Sequence, residues 1–290
     1  MLTIDPKEIP TAKLHAYLLN AVAPRPIAFA STIDHKGKVN LSPFSFFNVY
    51  SSNPPIMIFS ANRRVRDNTT KHTLENILQT KEVVINIVDH SIVYQASLSS
   101  TEYPKGVNEF VKSGLTMCKS ELVRPYRVAE SPVQFECKVN EIIALGDQGG
   151  AGNLIIAEVL KIHIRSEVLD ENHAIDPLKI DLVARMGGDW YTRSREGMFE
   201  VPKPLRSIGI GVDQIPEFIR NSSILTGNDL GRLANVEQIP TKQEVEDYVA
   251  QHMKVREPLS GDDRSQVHQR AKALIEENKV VEAWKLLLAK

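Results

Sequence analysis

Two short stretches carry the side chains best suited to chemistry. The first places Ser60, Asn62, Arg63, Arg64, Arg66, Lys71 and Thr73 around one loop and the start of one helix. A phosphate is held by cationic side chains, hydroxyl donors and free backbone N–H groups, and a helix N-terminus supplies the last of these. The second stretch, Ser42-Pro43-Phe44-Ser45-Phe46-Phe47-Asn48, mixes hydroxyls, an amide and aromatic rings. A flat ligand ring needs an apolar slot and hydrogen-bond partners along its polar edge, and this mixture offers both. Each stretch also has a plain structural reading. The basic loop reads as a solvated surface, and Phe44, Phe46 and Phe47 read as core anchors, the more usual role of aromatic residues.

Rival chemistries find less support. The glycines at 146, 149, 150 and 152 do not follow the G-x-G-x-x-G spacing of a dinucleotide fold. The eight histidines, at 15, 35, 72, 90, 163, 173, 252 and 268, form no paired-ligand pattern. His163 lies between Ile162 and Ile164 and reads as structural, whereas His72 reads either as a phosphate donor or as a helix cap. No serine has a nucleophile-elbow context. Cys118 and Cys137 lack metal-ligand spacing and read as small buried apolar residues in a reducing compartment.

The 290 residues include 35 Lys plus Arg and 36 Asp plus Glu, for a net charge of -1. That balance gives no reason to expect nucleic acid or an anionic membrane as partner. The charged N-terminus lacks an apolar signal region, and no run approaches the ~18 apolar residues of a membrane span. The expectation is a soluble, cytoplasmic protein.

Positioning these residues requires particular elements. Residues 13–22 have apolar spacing that predicts a short helix, and residues 26–32 a strand buried on both faces. Asp34 to Gly37 supplies turn chemistry, with residues 39–42 as the return strand, while 42–48 reads as irregular. Pro54-Pro55 precede a strand over 56–60, since proline cannot donate to a ladder. A helix over 71–79, with Leu74, Ile77 and Leu78 inward, and a β-branched strand over 82–88 follow. Helices are expected at 92–99 and 108–113, the second ending on Gly114. Val133, Phe135, Cys137 and Val139 alternate with polar residues, and residues 153–164 return as a long strand. An antiparallel barrel with appended helices fits this order better than a doubly wound sheet. After residue 200 the composition changes. Pro202-Lys203-Pro204 reads as a linker into a mostly helical extension, residues 201–290. There Thr241 to Glu244 has capping-box spacing, with Val245, Tyr248, Val249 and Met253 on one face.

Residues 23–32 (A-P-R-P-I-A-F-A-S-T), Asn40 to Ser45, and the K-x-T-x-x-N-I start at Lys71, Thr73, Asn76 and Ile77 together resemble the flavin reductase-like family. The likeness is to its flavoredoxin-like branch of FMN-binding split barrels. E-S-P-V-Q-F-E-C at 130–137, G-N-L-I-I-A-E-V at 152–159 and R-M-G-G-D-W-Y at 185–191 extend the likeness over about residues 10–200. The resemblance implies a mainly β fold with α: an antiparallel Greek-key split β-barrel, homodimeric, with FMN near the subunit interface. Carried over by position, Ser60, Asn62, Arg63, Lys71 and Thr73 would hold the phosphate and ribityl chain. Ser42, Phe44 and Ser45 would line the ring, largely through backbone, with Arg25, Ser31 and Thr32 on the neighbouring strand. The implied activity is reduction of FMN by NADH or NADPH with onward transfer to an acceptor. The alternatives are a non-catalytic FMN electron carrier and an interaction module on the same barrel. No catalytic side chain is named, since hydride transfer rests on alignment more than on an acid or base. Two departures stand out: His72 occupies a place where relatives often carry an acid, and Gly152-Asn153 a place where many carry a histidine.

Overall fold

The computed structural model describes residues 1–201, 208–252 and 264–289; Pro202-Lys203-Pro204 and Met253 lie outside them. The chain divides into two compact units, Met1–Phe199 and Glu200–Lys290. In chain order the strands of the first unit are β1 (Ala28–Ile33), β2 (Val39–Phe44), β3 (Phe47–Ser52), β4 (Pro55–Ser60), β5 (Glu82–Ile87), β6 (Met117–Cys118), β7 (Arg127–Val128), β8 (Val133–Ala144), β9 (Asn153–Ile164), β10 (Val183–Arg185) and β11 (Tyr191–Arg193). Its helices are α1 (Thr11–Ala21), α2 (His72–Thr80), α3 (Val93–Leu98) and α4 (Glu109–Ser113).

Seven strands form one antiparallel sheet in the order β2-β1-β5-β8-β9-β4-β3. The two edge strands, β2 and β3, are consecutive in the chain and separated only by Ser45 and Phe46. A two-residue link brings both edges of the sheet to one corner, so the sheet curls almost closed. No ladder joins β2 to β3 among the described residues, which leaves the barrel split along that seam.

Alternation sets what lies inside. Ala28 and Ala30 of β1 join Phe44, Met57, Phe59, Val83, Ile85, Cys137, Ile155 and Ala157 in the inner cluster, which Leu74 and Ile77 of α2 complete. Phe29, on the opposite face of β1, packs with Leu41, Val88, Ile92 and Phe110. Burial on both faces explains the unbroken apolar run of β1. Asp34 Oδ1 accepts from the backbone N–H groups of Lys36 and Lys38, both at 2.8 Å, and Gly37 adopts φ 83°, which closes the β1–β2 hairpin.

The structure corrects three expectations. Residues 42–48 are not irregular: β2 continues through Pro43, paired with Phe29, and β3 begins at Phe47. Pro43 is tolerated because β2 is an edge strand with one ladder to satisfy. Leu78 is 55 % exposed; Asn76 turns inward instead, its amide donating to Thr32 Oγ1 at 3.1 Å. Cys118 sits in the short ribbon strand β6 and is partly exposed, whereas Cys137 is buried and its thiol pKa is pushed up by that burial.

The second unit is helical, with α5 (Glu217–Arg220), α6 (Gly227–Ala234), α7 (Lys242–Gln251), α8 (Arg264–Glu276) and α9 (Val280–Leu288). Capping boxes at Thr226/Asp229 and Thr241/Glu244 start α6 and α7. Its core gathers on Trp284, whose indole N–H donates to Leu233 O at 2.9 Å.

Candidate functional site

The start of α2 concentrates positive charge. Lys71 is the N-cap residue, in extended conformation and with no side-chain cap hydrogen bond. Its carbonyl accepts from Leu74 and Glu75, at 3.0 and 3.2 Å. The N–H groups of His72 and Thr73 have no acceptor among the described residues. Lys71 Nζ lies 5.3 Å from the centroid of the Phe44 ring and makes no ion pair among the described residues. Burial, and next the charge of Arg64, hold its pKa below the ordinary value. The cations around it are matched: Arg64 and Arg66 both reach Glu102, at 3.2 and 2.7 Å, and Lys105 pairs with Glu75. Glu102 acts on this ammonium only weakly and from a distance, so a largely desolvated cation beside open helix N–H groups has no carboxylate in contact among the described residues, and an anion would complete it.

Strand register decides which predicted residues meet there. Thr32 faces Asn40, Ala30 faces Ser42 and Ala28 faces Phe44, so Thr32, Asn40, Ser42 and Phe44 share the inner face of the β1–β2 hairpin. Asn40 Nδ2 donates to Thr73 Oγ1 at 2.8 Å, which ties this face to α2. Thr32, Ser42, Phe44, Lys71 and Thr73 are thereby brought together. Ser31 is not: it lies opposite Leu41 on the other face, and its buried hydroxyl has no hydrogen-bond partner among the described residues.

Two predicted arginines are engaged elsewhere. The Arg25 guanidinium donates to the carbonyls of Leu19, Val22 (2.6 Å) and Met186 (2.7 Å), and reaches Ser45 Oγ at 3.5 Å. It satisfies the last carbonyls of α1. Arg63 donates to Asn68 Oδ1 at 2.6 Å and to Asn68 O at 2.8 Å, stapling the 63–68 loop. Arg64, rather than Arg63, is the arginine whose charge acts on Lys71. His72 lines a 20 Å³ void with Asp34, Lys38 and Lys105, with room for about one water. Burial is the main influence lowering its pKa.

A second feature was not foreseen from sequence. A cleft of 390 Å³ opens between α1 and the barrel end. Thr11, Leu14, His15 and Leu18 form its helical wall. Phe46, Ser60 and Asn62 face them, and Leu145, Gly150, Gly152 and Leu154 complete the lining. None of these residues is Asp, Glu, Lys or Arg. The legible signal was the 11/14/15/18 spacing, one stripe of a helix; α1 buries no residue fully, so its stripe serves the cleft rather than the core. The His15 ring stands edge-on to Phe46, centroids 6.1 Å apart. Ser60 Oγ donates to Asn62 Oδ1 at 2.7 Å, and Asn62 Nδ2 to Gly150 O at 3.3 Å. Phe46 follows Phe44 by two residues, and Phe44 touches Phe59 beside Ser60 (centroids 5.2 Å apart). The Ser45–Phe46 link between β2 and β3 and the Phe44–Phe59 contact thus connect the lysine site to the cleft.

Gly152 keeps the cleft open. A Cβ there would lie 2.8 Å from Ser60 Oγ and 3.3 Å from Leu145 Cδ1. Gly152→Ala is therefore expected to displace the Ser60 hydroxyl into the cleft and weaken binding of a ring ligand about tenfold, the scale of modest overpacking. Ligand titration beside a thermal melt checks this; an unchanged affinity would show that the ring does not reach Ser60.

Among the described residues no group of three His, Cys, Asp or Glu could hold a metal ion, and no helix is long and apolar enough to cross a membrane. The family model described as a flavin reductase like domain matches residues 21–180. An uncharacterised protein of Aquifex aeolicus is 38% identical over 188 residues, 65% of this chain and 93% of that protein. The crystal structure of nitrilotriacetate monooxygenase component B from Bacillus cereus is similar with a TM-score of 0.65 at 27% identity, covering 69% of this chain and 98% of that one. A split-barrel protein from Shewanella frigidimarina aligns with a TM-score of 0.59 at 26% identity, covering 70% and 100%.

Proposed function

This chain belongs to the flavin reductase-like family, and from that premise we propose that it is an FMN-dependent oxidoreductase taking hydride from NADH or NADPH. The observation that carries this reading is Lys71, a largely desolvated ammonium with no ion pair among the described residues, at a helix start without a side-chain cap. The phosphate of FMN would supply the close counter-charge that position lacks, and the cleft lined without Asp, Glu, Lys or Arg suits its ring.

Lys71, the Thr73 hydroxyl and the N–H groups of His72 and Thr73 would hold the phosphate, with Arg64 adding positive potential. Ser42, Phe44 and Ser45 would line the way from the phosphate to the ring, and Ser60 and Asn62 on the barrel side of the cleft would face it. When bound, FMN supplies a ring that accepts hydride and passes electrons to an acceptor. The side chains around it would orient the ring and keep water from it, through Leu145 and Leu154 on the barrel side of the cleft. The edge strand β3 exposes Val49 and Tyr50, the surface on which a second copy of the chain would complete a homodimer.

The deciding measurement is the visible spectrum of the purified protein, with FMN added, before and after anaerobic NADH or NADPH. Bound flavin that bleaches with either nucleotide is the expected result. Protein with no FMN affinity overturns the cofactor, and bound flavin that neither nucleotide reduces makes the protein an electron carrier.

A further inference from the structure

The cleft has a second wall that flavin binding alone does not explain. Helix α1 turns Thr11, Leu14, His15 and Leu18 toward Phe46 across the opening. The Ser60 and Asn62 side chains on the opposite side already donate to Asn62 and to Gly150. His15 is different: its ring is partly exposed, stacks edge-on with Phe46, and has neither nitrogen in a hydrogen bond among the described residues. The wall thus presents an unengaged imidazole within an otherwise uncharged, mostly apolar slot.

Resting on the FMN reading above, we infer that the α1 side of the cleft binds a flat, uncharged ring bearing an exocyclic carbonyl, and that His15 positions it by donating to that oxygen. The lining fixes the chemistry. A charged head would enter a slot with no counter-ion and lose its hydration without replacement. A ring face is accepted by Leu14, Leu18 and Phe46. The imidazole N–H left open selects an acceptor oxygen over a purely hydrocarbon ring. Two molecules carry this chemistry: the reduced nicotinamide head, through its carboxamide, and a neutral quinone acceptor. Reduced nicotinamide is uncharged and its oxidised form is cationic, so a slot of this kind also favours release after hydride has left.

The test uses the full-length, FMN-loaded chain as wild type, His15→Ala and His15→Gln. Anaerobic reduction by NADH and by NADPH, and reoxidation by menadione, are each followed through flavin absorbance. In His15→Ala the half-saturating concentration of one partner is expected to rise about tenfold, with FMN affinity unchanged and His15→Gln recovering most of the loss. An equal rise for NADH and NADPH identifies the nicotinamide head, and a rise confined to menadione identifies the quinone. Wild-type saturation in both half-reactions, with FMN bound normally, overturns this inference alone. A fall in FMN affinity as large as the kinetic effect overturns it too, by placing His15 in the flavin site. A wild-type protein without FMN affinity overturns the cofactor reading itself.

Discussion

Replacing Lys71 by alanine is expected to weaken FMN binding about 10- to 100-fold while leaving the ligand-free protein as stable as before or more so. The two halves of this result have one cause. Lys71 sits at the start of α2 with its ammonium over the Phe44 ring and no ion pair among the described residues, so its removal gives up only that ring contact and a weaker attraction to Glu102. It also relieves the repulsion from Arg64 and the burial that together depress its pKa. A phosphate, by contrast, would gain from it a charge-assisted hydrogen bond, the strongest kind of polar contact. A merely structural lysine would show the reverse pattern, losing stability and sparing the ligand.

The pH dependence carries the same sign. The folded-state pKa lies below the ordinary 10.5, so the folded protein holds that proton less tightly than the unfolded chain does. Ligand-free stability therefore rises as pH climbs through the folded pKa toward 10.5, and Lys71→Ala loses that component of the rise. FMN titration by fluorescence quenching and melts across alkaline pH read both effects. Wild-type FMN affinity in Lys71→Ala would move the phosphate elsewhere, with the Arg63 loop the next place to look.

Glu136→Ala is expected to cost about 3–5 kcal/mol of unfolding free energy, a breakage on the scale of a buried charge network losing one member. The Glu136 side chain is fully buried. Its carboxylate accepts from the backbone N–H groups of Glu121 (2.9 Å), Leu122 (2.6 Å) and Val123 (3.3 Å), and from His163 Nε2 at 2.7 Å. Alanine would leave this whole set of donors facing a cavity. Glu136→Gln keeps the shape and one acceptor oxygen and should lose less.

Burial is the largest single influence on this carboxyl and acts to raise its pKa, but the donated N–H groups and His163 together outweigh it and hold the pKa below the ordinary 4.5. The folded state therefore binds that proton less tightly than the unfolded one. The stabilisation is complete above 4.5 and is lost as pH falls through the folded-state pKa. Urea denaturation of wild type and both variants at neutral and acidic pH measures it. Equal stability of Glu136→Ala and wild type at neutral pH would refute the network's role.

Much of the barrel was legible because the periodicities that encode it are local. The alternation of Val133, Phe135, Cys137 and Val139 marks β8, and the boundaries 153–164 of β9 fall where the pattern starts and stops. Gly114, in left-handed conformation, ends α4 where expected, and Thr241 and Glu244 form the capping box their spacing announces. The strand through Pro43 was hidden, because whether proline can be accommodated depends on the strand lying at an edge, a property of the whole sheet.

The candidate site divides the same way. By itself the sequence determined which residue types were on hand for an anion and a ring, and the strand-loop-helix order that brings Lys71 and Thr73 to a helix start. Only the tertiary structure decided which of them are free. Arg25 is engaged by a carbonyl 161 residues away, at Met186, and Arg63 by its own loop. Register turned Ser31 from the face that holds Thr32, and chain folding laid α1 across the barrel mouth to make a cleft that includes His15. The physical reason is that side-chain type is a property of the residue, whereas a vacant donor, an unpaired charge or a cavity is a property of everything packed around it.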